Sequence, residues 1–254
     1  MFIALWYAAV AGAVQGASAQ FDEGHLQKPL KADDRPFNWH NIEPSTHLQY
    51  VPCYNGLQCA RLHVPLNWNA SKEEQLQKRA AIAIARLPAK VSVNHPDYGG
   101  AILINPEGPG ESGVDHVISR GRAIQTIVDA SSDPPVADLE DNHPSKFFDI
   151  LGFDPRGVKY TTPSLDCFSD AFSQQTWLLT RMDYGAMFET NPSLAMEWAR
   201  TEVLGRSCSL EDEGGILRYL NTPQVVKDMF AFIEAHGEWR ETKVEDMVIS
   251  GKES

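Results

Sequence analysis

The segment Ile102 to Gly113, ILINPEGPGESG, runs from apolar residues into two prolines, three glycines and two glutamates. Such a run delivers a strand to a tight loop made largely of backbone, and glycine lets that backbone come close to a bound group. Backbone N–H groups fixed in such a loop can hold the negative charge that develops on a carbonyl oxygen during acyl transfer. Gly108, Pro109 and Gly110 make the bend of this loop, the proline stiffening it and the glycines allowing its turn. Ser112 brings a hydroxyl to the same loop, but a serine directly before a helical pattern reads as an N-cap. Further along, FDILGFDPRG puts Asp154, Arg156 and Gly157 at a second glycine-bearing exit, where a guanidinium can fork onto carboxylate or carbonyl oxygens and brace the loop.

The elements that position these loops follow from hydrophobic patterning. LQCARLHVPLNW and RAAIAIARL read as two early strands joined by the polar NASKEEQLQK, most simply an antiparallel pair. GGAILIN and FFDILGFD are short, branched, apolar runs with helical material around Val114 to Ala130 between them, the β, loop, α, β grammar of a parallel sheet. Past them, Ser193 to Leu204 can form an amphipathic helix. In NTPQVVKDMFAFIEAHG, Thr222 suits an N-cap, Pro223 the first helical position and Gly237 the C-terminal cap. Only Met247 to Ile249 remain as a candidate for the next strand.

The charge of −12 on 254 residues repels phosphate backbones and anionic membranes, so nucleic acid and membrane partners are not expected. The N-terminus is an apolar run ending in Ala17-Ser18-Ala19, which reads as a signal peptide over 1–19 cleaved before Gln20, followed by a lead-in over 20–47 and a catalytic-type domain over 48–254. Four cysteines agree with export, and the preferred pairing is Cys53 with Cys59, across a turn at Asn55-Gly56, and Cys167 with Cys208. Asn69-Ala70-Ser71 is a usable glycosylation sequon, which makes Asn69 a candidate for a glycan on an exported chain. No cysteine or histidine spacing fits a metal, and neither a metal nor an organic cofactor is expected.

The blocks INPEGPGESGVD, FDILGFDPRGVKYTTP and YLNTPQVVKDMFAFIEAHG, in this order, resemble three consecutive blocks of secreted tripeptidyl-aminopeptidase-like serine peptidases, relatives of the proline iminopeptidases. The resemblance covers Tyr50 to Trp239. It implies an α/β-hydrolase fold whose opening part is antiparallel strands, two parallel strands and flanking helices. It also implies release of short peptides from peptide N-termini through an acyl-enzyme, with a peptide or small ester as substrate. The loop at Gly108, Pro109 and Gly110 then contributes to the oxyanion hole, and the turn at Asp154, Arg156 and Gly157 supports the site.

The chain departs from this pattern in two ways. Glycine is usual in the family where Glu107 and Glu111 stand, and a carboxylate within ~5 Å of a developing oxyanion opposes it by a few kcal/mol at an effective dielectric near 20. The second departure is that residues 1–254 contain no G-x-S-x-G, the motif that carries the nucleophile of such folds. The serine, acid and histidine are therefore expected beyond Ser254, leaving this chain an inactive, incomplete α/β-hydrolase fold. The alternative is a secreted, non-catalytic binding protein on the same scaffold. An incomplete sheet is also expected to leave an open edge and to expose Val225, Met229 and Phe232. The eight histidines, His63, His95, His116 and His236 among them, are read as structural or solvated.

Overall fold

Residues 58 to 65 and 79 to 86 are rich in branched and small apolar residues and pair along their whole length, which makes them the spine of the sheet. A computed structural model describes residues 37–106, 110–130, 146–183, 191–212 and 214–250; the proposed signal segment lies outside them. The strands are β1 (Val51–Cys53), β2 (Leu57–Pro65), β3 (Arg79–Leu87), β4 (Tyr98–Ile104) and β5 (Phe147–Phe153), in the spatial order β1-β2-β3-β5-β4. β1 to β3 pair antiparallel, β5 lies antiparallel to β3, and β4 joins β5 in parallel. The parallel pair requires a crossover, and α2 (Gly113–Val128) supplies it.

Side-chain alternation builds a core on each face of the sheet. Ile82 and Ile84 of β3, with Leu151 and Phe153 of β5, pack with Leu62, Val64 and Phe232 of α5 (Thr222–Ser250). Ala83, Ala85 and Ile150 point the other way and pack with Val114 and Val117 of α2. Full burial of each large apolar side chain stabilises by roughly 1.5–3 kcal/mol. The α2 face uses alanine where the α5 face uses isoleucine, so α2 lies close to the sheet. Trp39 and Ile42 of the lead-in are buried in the α2-side core.

At the β1–β2 hairpin, Asn55 and Gly56 both take positive φ, 35° and 86°, in a mirror-image turn closed by Leu57 N donating to the Tyr54 carbonyl at 2.8 Å. The Cys53–Cys59 disulfide straddles it. The second disulfide, Cys167–Cys208, staples the base of two helices, α3 (Ala171–Asp183) and α4 (Asn191–Glu211). A short helix, α1 (Lys72–Gln77), capped by Ser71, fills the β2–β3 connection.

Three sequence expectations are corrected here. The cap of α5 is Asn221, whose side chain accepts the Gln224 amide at 3.2 Å, so Thr222 and Pro223 become its first helical residues; proline fits there because early helical amides have no intrahelical acceptor. Gly237 does not end the helix, which continues to Ser250 and absorbs Met247 to Ile249. A glycine in a helix interior costs only ~1 kcal/mol, and contacts just beyond it offset that: the Arg86 guanidinium stacks on Trp239 at 4.6 Å and Arg240 on Tyr98 at 5.2 Å. Phe232 is 1% exposed, with Val225 and Met229 packed against the same core, whereas Val226, Phe230 and Ile233 form the exposed stripe.

Candidate functional site

Strand β4 delivers the chain through Ile104, Asn105 and Pro106 to the glycine loop. Gly108, Pro109 and Glu107 lie outside the described residues. Gly110 has φ 91°, a conformation that favours glycine, and Glu111 is exposed at the mouth of α2.

The start of α2 is fixed by a buried clamp. Ser112 accepts the Asp115 amide at 3.0 Å, the N-cap bond, and donates its hydroxyl to Asp154 Oδ1 at 2.6 Å. The same oxygen accepts the Val114 amide at 3.1 Å, and Oδ2 accepts the Tyr160 amide at 3.1 Å. Asp154 is fully buried; burial pushes its carboxyl above the ordinary carboxylate range, against the pull of these donors. Behind it, the Thr161 hydroxyl donates to the Asp154 carbonyl at 2.6 Å and accepts the Ala83 amide at 2.9 Å. The exit of β5 is thus tied to both β3 and α2.

Two glycines let these elements meet backbone to backbone. A Cβ on Gly113 would run into the carbonyl of Phe153, and one on Gly152 into the carbonyl of Gly113 and the side chain of Val117. The first turn of α2 is therefore held at the carboxyl end of the parallel pair, with its Val114 and Asp115 amides taken up by Asp154 and Ser112.

Arg156 turns away from Asp154. Its guanidinium forks onto Asp228 of α5, Nε to Oδ2 at 2.5 Å and Nη2 to Oδ1 at 2.7 Å, and also donates to the carbonyls of Pro65 and Leu66. The Trp68 indole donates to Asp228 at 2.7 Å. Arg156 and Asp228 are both fully buried, so the pair braces the turn, the end of β2 and the start of α5 together. Gly157, with φ 73°, completes the turn against Leu220.

A second polar cluster occupies the opposite end of the sheet. Asp149 accepts a bidentate pair from Arg86 at 2.7 and 2.9 Å, the Tyr98 hydroxyl at 2.9 Å and the Ala89 amide at 2.7 Å. His236 of α5 packs beside it, with Nδ1 3.2 Å from the Tyr50 hydroxyl; burial depresses its pKa to about 4. It serves as a core residue. His63 is half-buried on β2, while His95 and His116 lie toward the surface. Among the described residues no group of three or more histidine, cysteine or acidic side chains could hold a metal ion. Asn69 is exposed, and its side-chain oxygen accepts from Lys227 at 2.9 Å.

The geometry brings Gly110, Ser112 and Asp154 into one region and leaves Arg156 as a brace behind it. Sequence patterning missed Asp228 and Thr161, because each sits on an element whose apolar face dominated its reading. The pairing of Arg86 with Asp149 carried a signal: charged residues inside otherwise apolar strands require partners.

No family model matches the chain. Among curated proteins, serine protease Hip1 of Mycobacterium tuberculosis is 27% identical over 225 residues, which is 89% of this chain and 36% of that protein. Carboxylesterase B of Mycobacterium tuberculosis is 36% identical over 114 residues, 45% of this chain and 17% of the relative. Putative hydrolase YuaR of Escherichia coli is 29% identical over 114 residues, 44% of this chain and 18% of the relative. The chain spans at most about a third of the length of these relatives, 36% for the first. The mixed sheet with helices on both faces and the serine protease and carboxylesterase relatives together support an α/β fold of the serine hydrolase kind.

Proposed function

We propose that the loop between β4 and α2, with the Asp154 turn behind it, forms the oxyanion-stabilising part of a secreted serine peptidase that releases short peptides from peptide N-termini through an acyl-enzyme. The observation that carries this reading is the Ser112–Asp154 clamp, which fixes the start of α2, and with it the end of the preceding glycine loop, at the carboxyl end of the parallel strands. Gly108, Pro109 and Gly110 are the donor loop, and Asp154, Arg156 and Gly157 support it. In this reading the polypeptide does not turn over substrate by itself, because its 254 residues contain no G-x-S-x-G. Export is part of the reading: cleavage before Gln20 precedes formation of the two disulfides, and Asn69 is a glycan acceptor.

A chimera tests the site. Residues 98–164 replace the matching segment of serine protease Hip1, and hydrolysis of peptide amides and para-nitrophenyl esters is measured. Retained turnover supports the reading. A folded chimera that binds substrate without hydrolysing it sinks the oxyanion role and favours a non-catalytic binding protein. Mass analysis of the exported chain tests the rest: a mature start at Gln20 and no free thiol are expected, whereas an intact Met1 with reduced cysteines contradicts export.

A further inference from the structure

Beyond that reading and independent of it, we propose that the pocket between β2, α1 and the segment around Thr46 binds a small organic anion, with a carboxylate or phosphate head and a short apolar body. The pocket has a volume of about 380 Å³, at the small end of ligand-sized cavities. His63, Lys72 and Arg79 line it together with Thr46, and Pro65 and Leu76 form its apolar side. No carboxylate is among its lining residues.

The chain carries 34 acidic against 22 basic residues, and several of its cations are neutralised by carboxylates. Arg86 pairs with Asp149, Arg156 with Asp228, Lys159 with Asp115 and Arg206 with Glu202. Among the described residues, the side chains of Lys72 and Arg79 have neither an ion pair nor a hydrogen bond. His63 feels the result: burial and the positive charges of Arg79 and Arg61 push its pKa down, against the opposing pull of Glu43. Arg61 is committed elsewhere, to the Thr162 hydroxyl at 2.5 Å and the Ile42 carbonyl at 3.4 Å. An anion in the pocket relieves the crowding of like charges and meets donors of several kinds: a guanidinium fork, an ammonium, a hydroxyl and an imidazole N–H.

The frame is preformed. Gln75 donates to the carbonyls of Trp68 and Ala70 at 3.2 and 3.0 Å, and Ser71 caps α1. The Pro65 carbonyl is held by Arg156. Leu76, 66% exposed, offers apolar surface for the body of a ligand to cover.

Titration calorimetry on the whole chain, with inorganic phosphate and with hexanoate as probes, tests the proposal. Saturable binding of either probe is expected, weakened about tenfold or more by Lys72→Met or Arg79→Met and unchanged by Arg206→Gln. Tighter hexanoate binding assigns a carboxylate ligand, and tighter phosphate binding a phosphate ester. Lys72 is exposed, so Lys72→Met carries the test if Arg79→Met fails to fold. Absence of saturable heat for both probes at about 10 mM overturns the proposal. So does binding that survives Lys72→Met and Arg79→Met, or that falls equally in Arg206→Gln.

Discussion

Ser112 donates its hydroxyl hydrogen bond to Asp154 across 2.6 Å while its oxygen accepts the Asp115 amide at 3.0 Å. A serine engaged on both sides is a helix cap rather than a nucleophile. A fluorophosphonate probe is therefore expected to leave Ser112 unlabelled, and Ser112→Ala to lower stability by about 1–2 kcal/mol in urea titration. Stoichiometric labelling of Ser112 would contradict this assignment.

Asp154→Asn is nearly isosteric but replaces an acceptor oxygen by an NH2 group. At least one of the Val114 and Tyr160 amides, or the Ser112 hydroxyl, then loses its acceptor inside the core. The expected cost is about 1–3 kcal/mol, read as a lower urea midpoint with an unchanged slope. An unchanged midpoint would mean that this clamp does not hold α2.

Gly113 and Gly237 predict opposite outcomes for the same substitution. At Gly113 a methyl group meets the Phe153 backbone, so Gly113→Ala should cost about 1–3 kcal/mol through displacement of α2. At Gly237 nothing lies within 4 Å of the added carbon and the position is helical, so Gly237→Ala should stabilise by about 0.5–1 kcal/mol. Thermal melts of the two variants check both signs.

The Arg156–Asp228 pair is buried and shared with backbone carbonyls, so removing one partner strands the other. Asp228→Asn or Arg156→Met is expected to destabilise by about 3–5 kcal/mol, and the double variant by less than the sum of the two. A double-mutant cycle with no coupling would refute the brace.

His236 makes stability depend on pH. Its pKa is about 4 in the fold and about 6.5 when unfolded, so the unfolded chain binds the extra proton first. The contribution of the neutral ring is complete above about pH 6.5 and falls away toward pH 4, by up to roughly 3 kcal/mol. Urea titrations across that window should show a decline that His236→Gln flattens; parallel curves would place the titrating group elsewhere.

Much of the scaffold could be read in the chain, because its strands carry unambiguous patterns. Arg79–Leu87 is apolar on both faces and became the central partner of β2 and β5, and Asn55-Gly56 specified its own turn. What escaped was decided by distant contacts. Nothing local distinguishes Asn221 from Thr222 as a cap, and Gly237 is a helix end in most contexts until Trp239 and Arg240 find their cationic and aromatic partners, Arg86 and Tyr98, across the sheet. The polar partners of the site were hidden for the same reason. Asp154 is engaged by residues 42 positions before it and 6 after it, and Arg156 by a residue 72 positions on.

Helix α5 joins the two polar clusters. Asp228 touches the brace behind the loop, and His236, two turns later and about 12 Å along the axis, touches the cluster at the other end of the sheet. Local fraying cannot release one anchor without working against the other, so the intervening turns behave as a single cooperative unit. In deuterium exchange the amides of residues 228 to 236 should therefore rank with the slowest of β3 and β5, opening only when the whole sheet does. Those after Trp239 should exchange through shallower, segmental fluctuations.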